Sequence, residues 1–296
     1  MGAALTDTYP EAKAIFQEAQ SVLGWDLLAA CKEGPEDRLR QTDVAQPALY
    51  TTAFATFTVL KKLGIVPADA SYAVAGHSIG EYAALAAAGV FTFSEGLALV
   101  KERGRLMQEA GLKRPGAMAA ILGMDEATLQ AVCQEASAKG IVVPVNFNSP
   151  EQIVIAGEAA AIEAAKELAS QKGAKRVIAL NVSGAFHSPL MKEAAAAMGD
   201  NLKKVTFKNP AVPICMNADG QLHKDAASVK SALIQQLDHA VQWVKTMNTL
   251  GAEGYTTFIE SGSGRVLAGL AKKINKQFQV YTTESVESIQ QIGVKA

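Results

Sequence analysis

Gly76-His77-Ser78-Ile79-Gly80 is a place in this 296-residue sequence where residue types and spacing could support covalent chemistry. A Gly-x-Ser-x-Gly element between a strand and a helix puts the serine on a sharp turn, hydroxyl outward, with small flanking residues relieving a crowded backbone. The apolar run Tyr72 to Ala75 precedes it and helical composition returns from Glu81 to Ala88, so the context reads strand, tight turn, helix. At the helix start the Ile79 amide faces the same space and would donate to a developing oxyanion, aided by the positive end of the helix dipole. Five loosely specified positions also recur by chance as ordinary glycine-flanked turns; the strand-turn-helix context favours the nucleophile.

A serine hydroxyl is a weak nucleophile until a general base takes its proton. Of the four histidines, His187 is the base candidate. It lies in Gly184-Ala185-Phe186-His187-Ser188-Pro189, just past a strand expected over Arg176 to Val182, where loop-borne groups of parallel sheets collect. His77 is read as a pocket-wall or hydrogen-bonding residue, and His223 and His239 as surface residues. Arg103 is the most informative charge. Over Ser94 to Ala110, Leu99, Val100, Leu106, Met107 and Ala110 share one helical stripe, with Lys101, Glu102, Arg105, Gln108 and Glu109 opposite. Arg103 falls inside the apolar stripe. A buried guanidinium requires an anionic partner: either a structural carboxylate or a substrate carboxylate held by its planar fork.

The elements around these residues alternate. Helices are expected from Pro10 to about Leu23 and from Gln46-Pro47 to Leu63. Between Pro115 and Ser183 the pattern is strand Ala117 to Leu122, helix Asp125 to Ala138, strand Ile141 to Asn146, a turn at Asn148-Ser149-Pro150, strand Gln152 to Ala156, helix Ala159 to Gln171 and strand Arg176 to Val182. That order, β-α-β-β-α-β, is the ferredoxin-like unit, at a length that suits insertion between two halves of a larger α/β layer. After Pro189 opens a helix, strand Val212 to Met216, helices Ala226 to Gln236 and Trp243 to Leu250, strand Thr256 to Ile259 and helix Gly264 to Ile274 complete the pattern. The expected division is residues 1–114 and 184–296 in a large domain and 115–183 in a small subdomain.

Composition sets the surroundings. Hydrophobic residues make up 49% and charged residues 19%, with a formal net charge of -1, which is globular and argues against nucleic acid as a partner. Cys31, Cys133 and Cys215 form no Cys-x-x-Cys pair, so neither a disulfide framework nor a metal site is expected. Apolar runs are too short to span a membrane, and the start at Met1 lacks the regions of a signal peptide, so a soluble, cytoplasmic protein is expected. No exposed heptad is left over, and a monomer is expected.

Taken together, Gly76-His77-Ser78-Ile79-Gly80-Glu81, Arg103 in Lys-Glu-Arg-Gly-Arg-Leu-Met-Gln, and Ala185-Phe186-His187-Ser188 strongly resemble the malonyl-CoA:acyl-carrier-protein transacylases. Val145-Asn146-Phe147-Asn148-Ser149-Pro150, Gln236-Leu237 with Val241-Gln242-Trp243, and Glu260-Ser261-Gly262-Ser263-Gly264 follow in the same order, so the resemblance spans essentially the whole chain. It implies an α/β-hydrolase-like large domain with an inserted ferredoxin-like subdomain. It implies Ser78 as nucleophile, His187 as base, Arg103 as clamp for a malonyl carboxylate, Gln236 as orienter of His187 through a backbone carbonyl, and Gln46 as a further active-site glutamine. Ile79 and Phe186 resemble the malonyl-selecting versions of the fold. The implied reaction carries malonyl from malonyl-CoA to the phosphopantetheine thiol of holo acyl carrier protein, with no metal or other cofactor, and supplies fatty acid synthesis. The family begins with a strand running into Gly-Gln-Gly-Ser-Gln, whose glutamine completes the oxyanion hole, and this sequence starts past that point. One lost oxyanion donor lowers turnover by roughly a hundredfold to a thousandfold. Two other functions fit the elbow alone: a serine esterase or thioesterase with water as acceptor, and a non-catalytic module that retains the pocket.

Overall fold

Apolar spacing in the first third of the chain produces long helices whose buried stripes meet in one core. A computed structural model of the chain describes residues 1–182 and 184–295. Helix Pro10–Leu23 opens on a proline, whose missing N–H costs nothing in a first turn, and closes on Gly24 at φ 81°. Helix Phe93–Lys113 starts with a capping box in which Thr92 and Glu95 satisfy each other's backbone amides. Phe16, Val59, Leu97 and Val100 carry the shared core. The helix expected to begin at Gln46-Pro47 runs instead over Thr42–Lys62, with Pro47 inside it. Pro47 is the sixth residue of this helix and gives no N–H to the Asp43 carbonyl, and the earlier start sets Gln46 on a fixed helical surface rather than at an end.

The strands are β1 (Val74–Ala75), β2 (Gly116–Leu122), β3 (Val142–Ser149), β4 (Gln152–Glu158), β5 (Arg176–Ala179), β6 (Ile214–Cys215), β7 (Leu222–His223), β8 (Thr257–Glu260) and β9 (Gln279–Thr282). β1 pairs parallel with β6, which pairs antiparallel with β7, and β8 pairs parallel with β9. The chain is thus of the α/β class. In the chain between β1 and β6 comes a four-stranded antiparallel sheet in the order β3-β4-β2-β5, the ferredoxin-like order, covered by helices Glu126–Ala136 and Ala159–Gln171. It has its own core of Ile121, Leu129, Val132, Ile155 and Ile162.

Strand limits differ from the sequence expectation where pairing, not composition, decides. β3 continues through Asn148 and Ser149, so the turn to β4 falls after them rather than on them. Its register shifts after Pro144, which has no N–H for the ladder, and again after Phe147. β5 stops at Ala179, the last residue paired with β2, leaving Val182 40% exposed instead of in a strand. Ser183, the expected end of the small subdomain, lies outside the described residues. The outer edge of β3 bonds to the large layer: Phe147 N–H donates to the Val241 carbonyl (3.0 Å) and Val241 N–H to the Val145 carbonyl (2.8 Å). This seam anchors the segment just after Gln236. No helix among the described residues is long and apolar enough to cross a membrane.

Leu129 is fully buried at the centre of the small core, and a leucine-to-alanine change in such a place costs about 2–5 kcal/mol. Leu129→Ala is expected to lower the unfolding free energy by that amount in urea titrations. A loss below about 1 kcal/mol would contradict a packed core under this sheet.

Candidate active site

β1 ends one residue before the elbow, and helix Gly80–Ala87 begins two residues after Ser78, as the motif requires. Ser78 stands at φ 51°, a left-handed conformation that costs a non-glycine residue about 1–3 kcal/mol and persists only where surroundings impose it. The two motif glycines differ in function. A Cβ on Gly76 would lie 2.1 Å from the Gly80 backbone, so the turn closes only with glycine there, whereas a Cβ on Gly80 would meet nothing within 4 Å. The Ile79 N–H donates no hydrogen bond among the described residues.

His187 also has a positive φ, 60°, in the turn after Phe186, where Ser188 Oγ donates to the Ala185 carbonyl (2.6 Å). Its Nε2 is 2.7 Å from Ser78 Oγ and its Nδ1 is 2.9 Å from the Gln236 carbonyl. A carbonyl only accepts, so Nδ1 carries the proton and Nε2 presents its lone pair to the serine hydroxyl, the tautomer a general base needs. Burial, followed by the nearby positive Arg103, pushes His187 down from 6.5 to about 3. It is therefore neutral across the physiological range.

Arg103 is 1% exposed, as its place in the apolar stripe requires. Among the described residues no carboxylate lies within ion-pair distance of it. Nη1 donates to Gln46 Oε1 (2.6 Å), and Nη2 donates to Ser78 Oγ and to Gln236 Oε1 (3.1 Å each). The guanidinium also lies over the Tyr82 ring at 5.6 Å. Gln46 Nε2 donates to Met107 Sδ (3.2 Å), which fixes its carbonyl end toward the arginine. Arg103 Nε is buried and unpartnered. Burial lowers the Arg103 pKa, yet guanidinium keeps its charge in proteins, so a net positive charge stands beside the serine.

His77 lies outside this cluster: its Nε2 donates to Asn148 Oδ1 (2.8 Å), and its ring stands 5.6 Å from Trp243, which places it against the small subdomain. Ile79, next to Ser78 in the chain, and Phe186, next to His187, are half-buried against the main core. His239 is exposed. His223, expected at the surface, has a side chain only 14% exposed because β7 pairs it with Ile214 and Asp219 bonds its ring.

Two residues of the site escape sequence reasoning. Asn217, just after β6, accepts from Ser78 N–H through Oδ1 (2.7 Å) and donates from Nδ2 to the Gly76 carbonyl (2.6 Å), bracing both sides of the turn. Glu81 is fully buried; Oε1 accepts from Asn217 N–H (2.5 Å) and Oε2 from Gln236 Nε2 (2.8 Å). Burial pushes Glu81 up to about 8, although these donors and Arg103 pull it down. Glu81 was visible as the sole charge in the run Gly80 to Ala88. Asn217 carried only its position after a buried strand.

An α/β layer with a serine elbow and an inserted ferredoxin-like sheet is the acyltransferase fold. The chain belongs to the acyl transferase domain family, whose model matches residues 1–292. It is 43% identical over 291 residues to the malonyl CoA-acyl carrier protein transacylase of Bacillus subtilis (strain 168), covering 98% of this chain and 90% of that one. The malonyl CoA-acyl carrier protein transacylase of Escherichia coli (strain K12) is 42% identical over 274 residues, covering 93% and 88%. Among solved structures, a malonyl-transacylase in complex with its type II PKS acyl-carrier protein superposes with a TM-score of 0.95 at 38% identity, covering 100% of this chain and 95% of that one. The malonyl CoA-acyl carrier protein transacylase from Coxiella burnetii gives 0.94 at 39% identity, covering 98% and 91%.

The depressed His187 pKa sets a pH dependence. An ordinary histidine base would protonate on acidification through 6.5, whereas this one keeps its lone pair to about 3. Labelling of Ser78 by an uncharged fluorophosphonate is expected to hold its rate from about pH 7.5 to about pH 5. A half-loss near 6.5 would contradict the buried, neutral imidazole.

Proposed function

We propose that this protein transfers malonyl from malonyl-CoA to the phosphopantetheine thiol of holo acyl carrier protein through a malonyl-serine intermediate. The observation that carries the reading is a buried guanidinium without a carboxylate partner, hydrogen-bonded to the nucleophile's own oxygen. The relatives' names support both substrate and acceptor.

Ser78 Oγ attacks the thioester carbonyl as its proton passes to His187 Nε2, and the Gln236 carbonyl steadies the imidazolium through Nδ1–H. The Ile79 amide faces the developing oxyanion. The CoA sulfur leaves with the proton from His187, and the malonyl-serine ester remains. The carrier thiol then gives its proton to His187 and attacks the ester carbonyl, and Ser78 Oγ departs with that proton. Throughout, Arg103 pairs with the malonyl carboxylate in a site where water screens little, while Gln46 and Gln236 hold its fork in place. Ile79 and Phe186 wall the acyl site. No step draws on a metal or redox cofactor. We further propose that the protein works as a cytoplasmic monomer and that its product feeds fatty acid synthesis.

Simple hydrolysis is the competing reading, and Arg103 argues against it, since an esterase for neutral acyl groups has no use for a buried carboxylate clamp. Incubated with malonyl-CoA, the protein is expected to form malonyl carrier protein faster than free malonate when holo acyl carrier protein is present; faster hydrolysis would overturn the transfer reading. Arg103→Ala is expected to lower kcat/KM about a hundredfold or more for malonyl-CoA and far less for acetyl-CoA, because losing one member of a buried charge pair costs several kcal/mol. Equal losses would remove the clamp role.

A further inference from the structure

Glu81 makes no contact that the proposed steps use, yet it is fully buried and satisfied at both oxygens. Its position in the network has a directional consequence. The Gln236 side chain has a donor end and an acceptor end. Nε2 donates to Glu81 Oε2 (2.8 Å) and to the Ser78 carbonyl (2.7 Å), which leaves Oε1 to accept from Arg103 Nη2 (3.1 Å). Turning the amide over would aim a donor at a guanidinium that has only donors and an oxygen at a carbonyl and a carboxyl. We propose that Glu81 is a positioning residue that fixes which end of the Gln236 amide faces Arg103, and so sets where the guanidinium stands for the acyl carboxylate. The other partner of the fork is fixed in the same way, since Met107 Sδ takes Gln46 Nε2 and leaves Gln46 Oε1 to Arg103. The arginine thus stands between two amides, each turned by an acceptor behind it.

The inference rests on the reading of Arg103 as the carboxylate clamp, and it reaches selectivity rather than the proton transfers. Glu81→Gln keeps the size of the side chain but points a donor at Gln236 Nε2. The Gln236 amide then meets a donor on one side or the other, and the guanidinium loses its fixed acceptor. A hydrogen bond to a charged group is worth about 1.5–3 kcal/mol, or roughly tenfold and upward in discrimination.

The test is the ratio of kcat/KM for malonyl-CoA to that for acetyl-CoA, with holo acyl carrier protein as acceptor, in wild type, Arg103→Ala, Glu81→Gln, Gln236→Met and the Glu81→Gln/Gln236→Met double variant. A merely structural loss lowers both acyl groups together and leaves the ratio unmoved. The expected result is a fall of about tenfold in the ratio for Glu81→Gln and for Gln236→Met, with no further fall in the double variant. Unchanged ratios in both single variants, with a selective loss in Arg103→Ala, would overturn the role of Glu81 and leave the clamp intact. Non-selective loss in Arg103→Ala would instead remove the clamp itself. Should Glu81→Gln fail to fold, Gln236→Met decides alone, since an unchanged ratio there overturns the proposal.

Discussion

The burial of the Arg103 charge is the constraint on which the site depends. A guanidinium removed from water costs several kcal/mol unless its donors are met, and here acceptors from three separate parts of the chain meet its two Nη groups while Nε stays unpartnered. Gln46 comes from the helical front, Ser78 from the elbow and Gln236 from the turn after helix Ala226–Gln235. Each is neutral. The guanidinium has no carboxylate within ion-pair distance among the described residues, and burial first, then this positive charge, keeps His187 in its neutral form.

A second constraint is backbone strain. Ser78 and His187 both occupy the left-handed region, and the surroundings that hold them there also aim them at each other. Asn217 bridges the amide of Ser78 and the carbonyl of Gly76, closing the turn from the strand beside it. The seam between β3 and Val241 fixes the chain just after Gln236, whose carbonyl accepts from the His187 ring. The small sheet contributes to the chemistry by anchoring this segment and by giving His77 a partner in Asn148, rather than by supplying a reacting group.

Local patterns made part of this legible in the sequence. Period and spacing placed Arg103 on a buried face, and the Gly-x-Ser-x-Gly context placed Ser78 at a strand-to-helix turn. The β-α-β-β-α-β order followed from alternating elements whose pairing the structure realises as β3-β4-β2-β5. Gln46 and Gln236 entered only through resemblance, because an amide that solvates a charge 57 or 133 residues away leaves no local trace. Asn217 and Glu81 were passed over for the same reason, since their partners belong to other elements: Glu81 stands out only as a lone charge in an apolar run and Asn217 only as a polar residue after a buried strand. Strand ends were misplaced where a ladder partner, rather than composition, decides the limit, as at Ala179 and Ser149.

The central claim is that the uncancelled charge of Arg103 receives the acyl carboxylate while Ser78 carries the acyl group. A crystal structure of the protein trapped as its acyl-enzyme after exposure to malonyl-CoA tests this most directly. The expected structure holds an ester on Ser78 Oγ whose free carboxylate accepts from the Arg103 guanidinium at hydrogen-bond distance, with Gln46 and Gln236 still holding the fork. An ester on Ser78 whose carboxylate points to solvent, with Arg103 bonded only to its two glutamines, would contradict it.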